Sequence, residues 1–104
     1  MIATEVNISS SSGKNIALSI RHPEGAVKGV VQINTGTCIP QQIYWKFAAY
    51  LSNHGYISIT YDYSDASNYA SAVTHAAWLK DIESVTDYVL QTYPTLKKYA
   101  VGHS

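Results

Sequence analysis

The 104 residues are enough for one small domain with a single core and leave no room for a second. Apolar residues supply 46%, but charged residues only 13% against a usual share of about 25%, and the formal net charge is zero. Nothing in that balance steers the surface towards nucleic acid or an anionic membrane. No apolar run approaches the ~18 residues of a membrane span, and the start (MIATEVNISS) has no basic region followed by an apolar stretch. A cytoplasmic protein is expected. The single Cys38 has no partner for an internal disulfide and no ligand at metal-site spacing, so it reads as a small apolar filler. No metal and no cofactor are expected.

In chain order, Ile2 to Ile8 alternates apolar and polar residues as a half-buried strand does. Ser9 to Gly13 (SSSSG) reads as a turn, and Asn15 to Arg21 alternates again, so the two runs predict an antiparallel hairpin. Gly29 to Asn34 (GVVQIN) has the apolar character of a strand buried on both faces. After a loop over Thr35 to Gln42, the spacing of Tyr44, Phe47, Ala48 and Leu51 predicts one face of a helix that Gly55 ends. Tyr56 to Tyr61 (YISITY) is a strand, and Asp62 to Thr74 is a polar loop. Trp78 to Thr92 returns to helical spacing, with Leu79, Ile82, Val85 and Val89 on its apolar face and Asp81 and Glu83 in the first turn. Pro94 stops it, and Tyr99 to Gly102 is the last strand. Two successive strand–helix–strand units require parallel strands, so the fold class is α/β with an antiparallel pair on one edge.

Ligands of an open parallel sheet gather outside the carboxyl ends of its strands. Three loops leave those ends here: Thr35–Gln42, Asp62–Thr74 and the turn at Gly102–Ser104. A serine on a sharp turn directly after an apolar strand, with a small residue two before it, exposes its hydroxyl above the sheet. Gly-x-Ser alone means little. Its place after the third strand of a strand–helix–strand–helix–strand series makes Ser104 a candidate nucleophile rather than an ordinary turn serine.

The stretches VVQINTGTCIPQQIYWKFAAYLSNHGYISITYDY, WLKDIESVTDYVLQTYP and YAVGHS, in that order, resemble the amino-terminal part of an α/β-hydrolase. More narrowly, they resemble the serine-hydrolase group related to serine aminopeptidases and lysophospholipase-like esterases. The resemblance covers about Lys28 to Ser104, and the leading hairpin fits the first two strands of that fold. It implies a single partial domain over residues 1–104, with Ser104 as nucleophile in an elbow formed with Gly102 and His103. It also implies an oxyanion loop after GVVQIN, in which a backbone N–H of Gly36 or Thr37 supplies one donor. The substrate would be a small-molecule ester, thioester or amide, cleaved through an acyl-serine intermediate.

Two departures stand out. Where such hydrolases carry Asp-x-Arg-Gly-x-Gly, this chain has Asp62-Tyr63-Ser64-Asp65-Ala66-Ser67. The order serine, acid, histidine also leaves no base in this chain, because His22, His54, His75 and His103 all precede Ser104. His22 reads as a turn residue, His54 as a helix-end residue and His75 as a loop residue before the second helix. Asp62 and Asp65 read as loop caps, and Tyr61, Tyr63 and Tyr69 as packing against the adjacent helix. A nucleotide site is disfavoured because NTGTC lacks the G-x-G-x-x-G spacing.

The chain is thus expected to be a hydrolase fragment carrying half a site, inactive alone because a serine needs a base to take its proton. The competing reading is a non-catalytic α/β protein acting in binding or assembly. In either case the last strand is expected to be an exposed apolar edge, which invites pairing with another chain. The 104-residue chain is therefore expected to dimerise or aggregate at micromolar concentration, and a monodisperse monomer in light scattering contradicts this.

Overall fold

The computed structural model describes residues 3–10, 13–36, 39–62 and 75–102. Five strands form one sheet: β1 (Ala3–Ser9), β2 (Asn15–Arg21), β3 (Gly29–Asn34), β4 (Tyr56–Tyr61) and β5 (Lys98–Gly102). Their order across the sheet is β1-β2-β4-β3-β5. β1 pairs antiparallel with β2 from Ala3↔Arg21 to Ser9↔Asn15, and β2 pairs antiparallel with β4. β3 runs parallel to both β4 and β5. The predicted α/β class, with an antiparallel pair on one edge, is the observed one.

Two helices make the crossovers. A 3-10 turn over Gln41–Tyr44 leads into α1 (Trp45–Asn53), which connects β3 to β4. α2 (His75–Thr92) connects β4 to β5. His75 is the first residue of α2, not a loop residue before it. The earlier start also moves Asp81 and Glu83 out of the first turn. Just beyond α1 and its C-cap His54 comes Gly55, whose φ of +96° is a conformation that residues with a Cβ rarely adopt. Among the described residues, no helix is long and apolar enough to cross a membrane.

The sheet has an apolar cluster on each face. On the α2 face, Ile16, Leu18, Ile20, Val30, Ile57, Ile59 and Tyr61 pack under Val85 and Val89. On the other, Val31, Ile33 and Ala48 form a smaller cluster with Tyr44 and Leu51 of the α1 segment packed against it. Strict strand alternation sorts these residues: Val30, Gln32 and Asn34 of β3 face one way, Val31 and Ile33 the other. Gly29 opens β3 where a Cβ would lie 2.9 Å from the Lys97 carbonyl oxygen, so the neighbouring chain excludes any side chain there.

Two helix faces differ from expectation. Phe47 and Leu79 are exposed, at 41% and 64%, while Ser52 and Asp81 are buried in their stead. Ser52 turns inward because its hydroxyl has partners there, the Arg21 carbonyl (3.1 Å) and the buried Ser58 hydroxyl (3.0 Å), and Ser58 in turn donates to the Ala48 carbonyl. On α2 the inner stripe runs Asp81, Val85, Val89 at intervals of one turn. Tyr50 and His54, on the outer side of α1, pack ring against ring at 4.3 Å. The Arg21 guanidinium lies 5.2 Å from the Trp45 ring centroid, and burial lowers its pKa from the ordinary value.

This assignment of faces predicts opposite outcomes for two similar truncations. Ile59→Ala, at a position with no exposure, should cost about 2–5 kcal/mol in urea unfolding. Leu79→Ala should change stability by less than about 0.5 kcal/mol.

Candidate active site

β3, β4 and β5 are parallel, so their carboxyl ends share one edge of the sheet. That edge holds Asn34-Thr35-Gly36, Tyr61-Asp62 and Gly102. The register pairs Asn34 with Gly102, so the segment carrying Gly36 and the end of β5 are neighbours. Of the predicted site residues, Gly36 and Gly102 are thereby brought to the same edge. Thr37, His103 and Ser104 lie outside the described residues, as do Cys38, Asp65, Tyr63 and Tyr69.

The Gly36 N–H, an expected oxyanion donor, donates to the Tyr44 hydroxyl at 3.0 Å. Tyr44 is held by packing on the α1-side cluster, so its hydroxyl is a fixed acceptor for the loop after β3. Thr35 is buried next to it.

Gln41 ties the same edge together from the start of the 3-10 turn. Its backbone N–H donates to Asp62 Oδ1 (2.8 Å) and its Nε2 to Asp62 Oδ2 (3.2 Å) and the Ala17 carbonyl (3.4 Å). Its Oε1 accepts from the Thr60 hydroxyl at 2.8 Å. Asp62 therefore caps the turn that begins at Gln41, and its carboxylate is occupied in that task. Thr60 is completely buried, and Gln41 gives its hydroxyl an acceptor.

On the α2 face a second network spans α2, β3 and β4. The Thr86 hydroxyl donates to the Ile82 carbonyl at 2.8 Å, and Gln32 Nε2 donates to Thr86 Oγ1 at 3.2 Å. Gln32 Nε2 also donates to Asn34 Oδ1 at 2.9 Å, and the Tyr61 hydroxyl donates to the same oxygen. Tyr61 is completely buried, and this bond satisfies its hydroxyl as well as packing its ring.

Sequence reasoning passed over Gln32, Asn34, Gln41 and Tyr44. A signal for the first two is present: they are polar residues at i and i+2 in a strand otherwise apolar on both faces. Such a pair must share a face and must find buried partners. Gln41 and Tyr44 carry no comparable signal, since their partners come from positions 8 to 24 residues away.

No protein-family model and no curated protein matches this chain. Solved structures do. A carboxyl esterase from Bacillus coagulans is 20% identical with a TM-score of 0.82, over 99% of this chain and 36% of its own. A soluble variant of monoglyceride lipase from Saccharomyces cerevisiae is 17% identical with a TM-score of 0.85, over 100% and 37%. An α/β serine hydrolase without a lid from Xanthomonas campestris is 16% identical with a TM-score of 0.77, over 100% and 51%. The chain thus has part of an α/β-hydrolase fold, and it spans between about a third and a half of the length of these structures.

The Gln41 network predicts a measurable cost of truncation. Gln41→Ala leaves the buried Thr60 hydroxyl without its acceptor and Asp62 without a side-chain donor. It should lower unfolding free energy by about 1–3 kcal/mol in urea denaturation.

Proposed function

We propose that this chain is the nucleophile-bearing part of a serine hydrolase that cleaves a small-molecule ester, thioester or amide. The observation that carries this reading is the edge formed by β3 and β5. It brings the loop with Gly36 beside Gly102, and Ser104 follows Gly102 by two residues in a fold shared with esterases and lipases.

In this mechanism the Ser104 Oγ attacks the substrate's carbonyl carbon. Its proton passes to a base and on to the leaving alcohol, thiol or amine as the bond to that group breaks. Water then cleaves the acyl-serine ester, releasing the carboxylic acid and restoring the hydroxyl. Negative charge develops on the carbonyl oxygen in both steps, and a backbone N–H of Gly36 or Thr37 is the proposed donor to it. Because Gly36 already donates to Tyr44, its use would require the oxygen to share or replace that hydroxyl. The acid and base would come from chain beyond Ser104. His103 would occupy the variable position of the elbow without transferring a proton. We further propose that the partner is not a nucleic acid, from the neutral charge.

A second reading, binding or self-association, is favoured by one feature. β5 is an edge strand whose Tyr99 and Val101 border an apolar groove with Val31, Leu51 and Tyr56. Pairing of that edge with another chain would cover it.

Labelling separates the readings. The full-length protein should react with a fluorophosphonate probe, and its Ser104→Ala variant should not. A folded full-length protein that takes no label overturns the hydrolase reading.

A further inference from the structure

β5 is the last strand on one side of the sheet, and among the described residues its outer side has no neighbour. The Val30 N–H donates to the Lys97 carbonyl at 2.9 Å, and Val30 is paired with Lys98. In a parallel ladder that pattern turns the backbone groups of Lys97, and by alternation those of Tyr99 and Val101, towards β3. The N–H and carbonyl groups of Lys98, Ala100 and Gly102 therefore point out of the sheet. A row of alternating donors and acceptors of this kind is matched by another extended backbone.

That backbone can be a second β5, because the strand is complementary to itself. Two copies laid antiparallel about a twofold axis at Ala100 set Ala100 opposite Ala100, Lys98 opposite Gly102 and Tyr99 opposite Val101. The outward residues of one copy then meet those of the other as pairs that exchange both their N–H and carbonyl groups, and this register engages all of them. The side chains fit it too. Ala100 brings only a methyl group to the axis, and a Cβ on Gly102 would meet no described atom within 4 Å, which leaves room for the Lys98 stem of the other copy. Lys98 carries the only charge on β5, and its Nζ is turned back to the Leu96 carbonyl at 2.8 Å, so like charges do not meet at the axis. On the α1 face, Tyr99 is 48% exposed and borders an apolar groove with Val31, Leu51, Tyr56 and Val101. The pairing sets the Tyr99 ring of each copy against Val101 of the other and makes the two grooves one apolar surface.

We propose that the outer edge of β5 binds a second copy of this chain, in an antiparallel β5–β5 pairing with its twofold axis at Ala100 that joins two five-stranded sheets into one. This rests on the self-association reading of that edge, and it names the partner and the register.

In analytical ultracentrifugation the 104-residue chain should sediment as a dimer at micromolar concentration. Ala100→Pro removes an N–H that faces away from β3 and leaves the β3–β5 bonds in place, so its urea midpoint should stay near that of the wild type. It should raise the dimer dissociation constant about tenfold or more, since each copy loses a hydrogen bond at the axis. A wild-type chain that sediments as a monomer overturns the self-association reading and the proposal with it. A dimer that Ala100→Pro leaves equally tight, or open-ended aggregates, keeps that reading and overturns the proposal. Cross-linking decides even where Ala100→Pro fails to fold. Hydrogen-bonded antiparallel pairs hold their Cα atoms about 5.5 Å apart, within the span of a disulfide. Ala100→Cys in a Cys38→Ser background should therefore oxidise to a covalent dimer, while Glu5→Cys in the same background, on the opposite edge strand β1, should not. Absence of a cross-link at Ala100 overturns the proposal. In a protein that continues past Ser104, a monomer whose Ala100 amide resists hydrogen exchange assigns the edge to its own continuation and overturns it as well.

Discussion

Strand β3 is covered on both faces, by α1 on one and α2 on the other, and this constraint shapes most of the molecule. A polar side chain on such a strand is largely withdrawn from water and is paired inside the protein. Val31 and Ile33 meet the demand on the α1 side by being apolar. On the α2 side only Val30 does so, and Gln32 and Asn34 must draw partners from α2 and β4. The hydrogen bonds that result link three elements at one end of the sheet.

The same requirement explains where sequence patterning succeeded. GVVQIN and YISITY are short apolar runs rich in β-branched residues, and both are the buried parallel strands that such runs imply. The hairpin was legible from alternation in β1 and β2, and the end of α1 from Gly55. Helix faces were less legible. Periodicity assigns inward positions by counting apolar residues, yet Ser52 and Asp81 point inward and Phe47 and Leu79 outward. Ser52 is inside because Ser58 and the Arg21 carbonyl, 6 and 31 residues away, offer it hydrogen bonds. A partner of that kind is a product of the fold and leaves no mark in the local pattern.

The candidate site divides along the same line. That Gly36 and Gly102 would lie at strand carboxyl ends followed from reading strands, helices and parallel connections in order. That the Gly36 N–H meets a tyrosine hydroxyl did not, because it depends on the 3-10 turn bringing Tyr44 back over the loop. Asp62 was read as a loop cap, and it accepts from both the backbone and side chain of Gln41. Its carboxylate is thereby committed to holding two loops together.

These two networks engage the acceptors of that edge. Asp62 and the Tyr44 hydroxyl, its acceptors, are occupied by Gln41 and Gly36. Asn34 Oδ1 accepts from both Gln32 and Tyr61. The Asp62 carboxylate brings a negative charge to that edge, and the two donors of Gln41 stabilise it there. The residues that make these bonds serve to keep a covered strand and the loops beside it satisfied.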